Sequence, residues 1–150
     1  MSAVDVKVTL EEITAETLES VLKLEVLDEQ KRYVASNAVS IAQAHFSEHA
    51  WFRAIYADDT PVGFVMLYLD SAQPLYGIWR FMVDKEHQRK GYGSEAMRQV
   101  IDYVKSLPQA EELLLSYTPG EGDPSPFYSK FGFVDTGEWI SEEKVMKLTW

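Results

Sequence analysis

Val4, Val6, Val8 and Leu10 alternate through "VDVKVTL", which predicts an opening strand with one buried face. The period then changes. Thr14 is placed to cap a helix running to about Leu27, with Leu18, Val21, Leu22 and Glu25 on one face at i, i+3, i+4 and i+7. "VASN" interrupts it, and Asn37 is placed to cap a second helix to about Ser47. From Trp51 to Val83 the residues are β-branched or aromatic, broken at "DDTPVG" and "DSAQPL", which predicts a meander of three antiparallel strands.

Beyond a basic turn, Ala96, Met97, Val100, Ile101, Val104 and Leu107 share one helical face until Pro108 stops the helix. "EELLLSY" reads as a short buried strand, Phe127 to Phe131 as a short helix, and "GFVDTGEWI" with "EKVMKLTW" as a closing hairpin. The order is an α/β pattern with a mixed, mostly antiparallel sheet of about seven strands and about four helices. No repeat, low-complexity tract or linker divides the chain, so residues 1–150 read as one domain.

Composition narrows the chemistry. The chain has no cysteine, which removes disulfides, thiolate metal sites and a cysteine nucleophile. His45 and His49 form an i, i+4 pair without a third partner, so no metal site is expected. A net charge of -10 argues against nucleic acid, whose binding relies on clustered Lys and Arg. No stretch approaches the roughly 20 apolar residues of a membrane span, and the N-terminus lacks a signal-peptide pattern, so a cytoplasmic protein is the expectation.

Against that acidity, "DKEHQRKGYG" gathers Lys85, His87, Arg89 and Lys90 where two glycines open a helix. Gly91 and Gly93 permit close approach and unusual dihedrals, and the following helix adds its partial positive charge. Such a turn suits a pyrophosphate, with Arg89 and Lys90 adding charge and Gln88 offering hydrogen bonds; a solvated basic turn is the plain alternative. The Walker lysine-serine pattern and the dinucleotide glycine spacing are both missing.

"QRKGYG" resembles the Gln/Arg-x-x-Gly-x-Gly/Ala motif of the GNAT superfamily of acyl-CoA-dependent N-acetyltransferases, and "FYSKFGFVDTGE" is similar to that superfamily's Tyr-bearing segment after the fifth strand. "QKRYVASN" with Ser40, "WRFMVD", "PGEGDPSPFY" and "EKVMKL" further resemble bacterial spermine/spermidine and diamine acetyltransferases. The resemblance implies acetyl-CoA as cosubstrate, no metal, and a small-molecule amine acceptor. It implies cofactor contacts from Met82 and Val83 on the fourth strand and from Gln88, Arg89, Lys90, Gly91, Tyr92, Gly93 and Ser94 on the turn. It also implies Tyr128 as the acid that protonates the departing sulfur, although a Tyr beside Phe127 and Phe131 reads, by itself, as core packing. Glu121 and Pro124 stand where many members have Asn and Ala, and Trp79 stands where some carry a glutamate.

Amine acetylation needs a neutral amine, and amines are mostly protonated at pH 7. Glu25, in an otherwise apolar stripe, is the candidate base, unless the helix has turned to solvent by that point. Asp28, with Glu29 and Asp70, is a candidate for gripping a distal ammonium; Tyr33, Tyr76 and Trp79 are candidates for packing on methylenes or core. The competing functions are acetylation of another amine (amino acid, aminoglycoside or protein N-terminus) and a CoA-binding sensor or partner module. A homodimer through "VMKLTW" and an ordinary closing strand explain that apolar C-terminus equally well.

Overall fold

The computed structural model describes residues 6–150. Seven strands form one sheet, β1 (Val8–Glu11), β2 (Ala50–Ala57), β3 (Thr60–Asp70), β4 (Leu75–Val83), β5 (Glu112–Tyr117), β6 (Val134–Ile140) and β7 (Glu143–Thr149), in the order β1-β2-β3-β4-β5-β7-β6. The expected meander is there: β2, β3 and β4 pair antiparallel in sequence order. β4 and β5 run parallel, and β7 inserts between β5 and β6. Helices α1 (Leu18–Leu22), α2 (Asn37–His45), α3 (Tyr92–Lys105) and α4 (Ser125–Ser129) cover the two faces.

β3 shows why the sheet sits between two layers. Its Val65 and Leu67 join the core beneath α3, whereas Phe64 and Met66 join Val21 of α1 and Ala44 of α2 on the other face, so both sets of alternating positions are apolar and buried. α3 supplies Ala96, Met97, Val100, Ile101 and Val104 from the stripe legible in the sequence.

The N-terminal third departs from expectation. β1 begins at Val8, and Val4 lies outside the described residues. Thr14 does not cap a long helix: its backbone N–H donates to Thr17 Oγ1 (2.9 Å) in a turn, and α1 spans only Leu18–Leu22. The continuation fails because the Glu25 backbone N–H donates to Asp84 Oδ1 (2.9 Å) rather than to a helical carbonyl. Glu25 therefore stands in irregular chain, ahead of a 3-10 turn at Asp28–Gln30. Ser36, not Asn37, caps α2, accepting from the Val39 N–H (3.2 Å); Asn37 is buried and donates to the Val21 carbonyl (3.0 Å). α2 ends at His45, and α4 starts two residues earlier than Phe127.

One irregularity shapes the centre of the sheet. Met66 faces Arg80 and Leu67 faces Ile78, so Trp79 is an extra residue in β4, a β-bulge. The β4–β5 ladder consists of Gly77↔Leu114 and Ile78↔Leu115 and stops there, although both strands continue. Beyond the bulge they diverge, and a cleft opens between them.

Gly63 fixes how closely the far end of β4 approaches β3. A Cβ there would fall inside contact with the Met82 carbonyl oxygen and lie 3.1 Å from Ile55 Cδ1. Gly63→Ala is expected to destabilise the fold by about 1–3 kcal/mol through overpacking against backbone that cannot move aside. Urea denaturation of the two proteins measures it; an unchanged midpoint would show that β4 is free to shift.

Candidate active site

The cleft between the diverging strands has a volume of about 930 Å³. Its walls come from the bulged half of β4, the end of β5, the start of α3, α4 and the segment between α1 and α2. On the β5 side, β4 beyond Ile78 has no strand partner, so main-chain groups there are available to whatever fills the gap.

At one end, the turn after β4 is wound for exposing backbone donors. Asp84 is buried; it accepts from the N–H groups of Glu25 (2.9 Å) and Glu86 (3.2 Å) through its carboxylate and donates its own to the Val62 carbonyl (2.7 Å). Arg89 (φ +64°) and Gly91 (φ +85°) are both left-handed, and Gly91 caps α3. Gly93 is required for another reason: a Cβ there would sit 3.2 Å from Val83 Cγ2, so α3 starts pressed against the end of β4. Gly91, Tyr92, Gly93 and Ser94 all line the cleft, with the unpaired N–H groups of the first helical turn among them.

Of the other residues expected at a cofactor, Met82, Val83, Gln88 and Arg89 line the cleft and Lys90 does not. Gln88 does a different job from the one its motif position suggests. Its amide Nε2 donates to the Val83 carbonyl (2.9 Å) and to Gln30 Oε1 (2.9 Å), tying the turn to β4 and to the 3-10 turn.

Tyr128 of α4 lines the same cleft, only 8% exposed, with Phe127 and Phe133 edge-on at ring distances of 5.6 and 5.8 Å. No described residue hydrogen-bonds its hydroxyl. Burial pushes the phenol up to about 12, because the charged form would sit in an apolar surround.

Tyr33 and Trp79 line the cleft as expected of acceptor contacts. Tyr33 donates to the Glu121 carbonyl (2.5 Å), and the Arg32 guanidinium stacks 4.6 Å from its ring centroid, so Glu121 acts here through its backbone. Glu25 and Asp28 are not among the cleft's lining residues. Glu25 pairs with Lys85 (2.6 Å) and Lys31 (3.4 Å), Asp28 with Lys31 (3.0 Å). The hydrogen bond from Lys85 above all holds the Glu25 carboxyl below its usual range, and Lys31 does the same for Asp28. Glu25 is thereby weakened as a proton acceptor. Tyr76 is core, donating to the Pro108 carbonyl (2.6 Å), and Asp70 is buried, accepting from the Ala72 and Gln73 N–H groups.

Among the lining residues that the sequence reading did not assign to the site are Arg80, Ser116 and Glu143. Arg80 donates to the Trp79 carbonyl (2.9 Å) and to Gln43 Oε1 (3.0 Å), while its Nε is buried without a partner. Burial pushes its pKa down, and the charge of Glu143 opposes that. Glu143 Oε1 accepts from Ser116 Oγ (3.0 Å). A charged residue inside the apolar run "GIWRFMV" was a visible signal; Glu143 looked no different from Glu142 beside it. Among the described residues no group of three or more His, Cys, Asp or Glu gathers at metal-binding distance, and no helix is long and apolar enough to cross a membrane.

Residues 11–133 match the sequence model of the acetyltransferase (GNAT) family. The chain is 27% identical over 146 residues to a probable spermine N(1)-acetyltransferase of Bacillus subtilis subspecies natto, covering 93% of this chain and 96% of that one. It is 26% identical, with the same coverage, to the spermine/spermidine N(1)-acetyltransferase of Bacillus subtilis. In fold it is similar to the spermidine N-acetyltransferase of Vibrio cholerae, whose structure holds CoA and spermine: TM-score 0.74 and 17% identity, covering 95% of each chain.

The raised phenol has a measurable consequence. Folded Tyr128 keeps its proton more tightly than the unfolded chain, whose tyrosine titrates near 10, so the linked stability is complete below pH 10 and is lost as pH rises through about 12. A pH titration of phenolate absorbance, wild type minus Tyr128→Phe, is expected to show one tyrosine with a midpoint near 12. A midpoint at 10 would mean that water reaches the hydroxyl freely.

Proposed function

The chain belongs to the acetyltransferase (GNAT) family, and from that premise we propose that it transfers the acetyl group of acetyl-CoA to a primary amine of a polyamine or diamine, by direct attack with both substrates bound. The observation that carries this reading is the split between β4 and β5, with left-handed Gly91 and the α3 N-terminus at one edge and Tyr128 on its wall.

In this reading the pyrophosphate of CoA takes the N–H groups around Gly91 to Ser94, with Arg89 adding charge. The pantetheine arm takes the place of the missing strand along β4 near Met82 and Val83, so the identity of those side chains matters less than the main-chain groups that no strand pairs on that side, the Val83 carbonyl being already taken by Gln88. As the amine nitrogen bonds to the thioester carbon and the C–S bond breaks, negative charge collects on sulfur. Tyr128 donates its proton there, while the amine nitrogen gives up a proton to solvent as the amide forms and the phenolate takes one back from solvent. Burial keeps the phenol protonated at neutral pH, so the proton is there to be given.

A polyamine is favoured as acceptor by the two relatives named for spermine and spermidine. Arg80 supports a second reading, an acceptor bearing a carboxylate, since its Nε lacks a partner at the cleft. A panel of amines assayed by thiol release separates the two: spermidine is expected to have a higher kcat/KM than butylamine or an α-amino acid. Parity with butylamine would end the polyamine reading.

Tyr128→Phe is expected to lower kcat on the order of 100-fold, the usual scale of one general acid, with little change in the affinity for acetyl-CoA. Wild-type turnover in that variant, followed across pH, would remove the hydroxyl from the mechanism.

A further inference from the structure

A polyamine presents at least one ammonium besides the nitrogen that is acetylated, and that charge needs a carboxylate facing the cleft with an unengaged oxygen. Two acidic side chains line the cleft, Asp123 and Glu143. Asp123 is engaged by its own turn: Oδ1 accepts from Ser125 N (2.9 Å) and Ser125 Oγ (2.7 Å), and Oδ2 accepts from Gly120 N (2.9 Å). Glu143 accepts only from Ser116 Oγ, and no described residue bonds to its Oε2.

The cations that line the cleft sharpen the point. Lys31 is held by Glu25 and Asp28, Arg32 by the Glu121 carbonyl, and Arg80 by the Trp79 carbonyl and Gln43. None of the ion pairs within 4.0 Å among the described residues involves Glu143, although several cations line the same cleft. Its carboxylate makes no close ion pair, although its charge acts on Arg80, and it is fixed at the first position of β7, where Ile140 of β6 faces it and the next residue, Lys144, faces Tyr117 of β5. A site on strand ends held from both sides is more exact than one on a free loop. Trp79 and Tyr117 line the same cleft.

Building on the polyamine reading, and resting on it, we infer that Glu143, steadied by the Ser116 hydroxyl, pairs with the acceptor ammonium that is not acetylated, and so sets the preference for polyamines over monoamines. The carboxylates outside the cleft, Glu25 and Asp28, have no part in it.

The test is the ratio of kcat/KM for spermidine to that for butylamine in wild type, Glu143→Gln, Glu143→Asp and Glu25→Gln, with calorimetric CoA binding to confirm that each variant is folded. Glu143→Gln is expected to cut the ratio roughly 10- to 100-fold, the scale of one charge-assisted hydrogen bond, mainly by raising KM for spermidine. Glu143→Asp recovers part of the ratio, raised salt narrows it in wild type, and Glu25→Gln leaves it intact. A preference that survives in folded Glu143→Gln overturns the assignment while the polyamine reading stands. A wild-type ratio near one removes the polyamine reading and the assignment with it.

Discussion

A strand that parts from its neighbour inside a sheet leaves main-chain donors and acceptors in want of partners, and the functional half of this molecule is organised around that constraint. The insertion of Trp79 bends β4 away from β5 after only two paired positions. Everything near the cleft then compensates locally: Arg80 bonds the Trp79 carbonyl, Gln88 bonds the Val83 carbonyl, and α3 begins pressed against the strand end through Gly93. The side of β4 that would have faced β5 is left for a ligand with extended geometry. That is why the chemistry proposed for this site can rest on backbone, with few side chains in dedicated roles.

Charge is arranged against the grain of the whole chain. The protein carries -10, yet the side chains lining the cleft include Lys31, Arg32, Arg80, Arg89 and Lys130 against Asp123 and Glu143. A basic recess in an acidic body holds an anion such as a pyrophosphate, while the outer field favours cations. An enzyme joining a polyanionic cosubstrate to a cationic amine needs both signs, and the recess itself supplies the negative one at Glu143 among its basic side chains.

Much of this was legible in the chain. The meander, the α3 stripe and the closing hairpin rest on strong periodicities that tertiary context only reinforced. Gly91 and Gly93 were legible as a pair, but their distinct reasons, a left-handed dihedral and a close approach to Val83, needed coordinates. The N-terminal third misled because Leu18, Val21, Leu22 and Glu25 satisfy helical spacing locally, while the bond that ends the helix comes from Asp84, 59 residues away. Glu143 was hidden for the opposite reason. Nothing local distinguishes it from Glu142; only the docking of β7 between β5 and β6 turns one toward the cleft.

Glu25, read from the sequence as the candidate base, lies in a seam that joins two loops. The Lys85 N–H donates to the Glu25 carbonyl (2.8 Å) while the Glu25 N–H reaches Asp84, the Glu25 and Lys85 side chains pair above them, and Gln30 and Gln88 exchange amide hydrogen bonds (3.3 and 2.9 Å). The segment between α1 and α2 is thus stitched to the turn that opens α3. The exposed Glu25–Lys85 pair adds little by itself, since solvent screens it. The buried Asp84 and the reciprocal glutamine pair matter more, because they satisfy main-chain and amide groups at partly buried positions. Two walls of the cleft, one expected at the cofactor and one at the acceptor, therefore share a single hydrogen-bonded seam, and the geometry of one cannot change without straining the other.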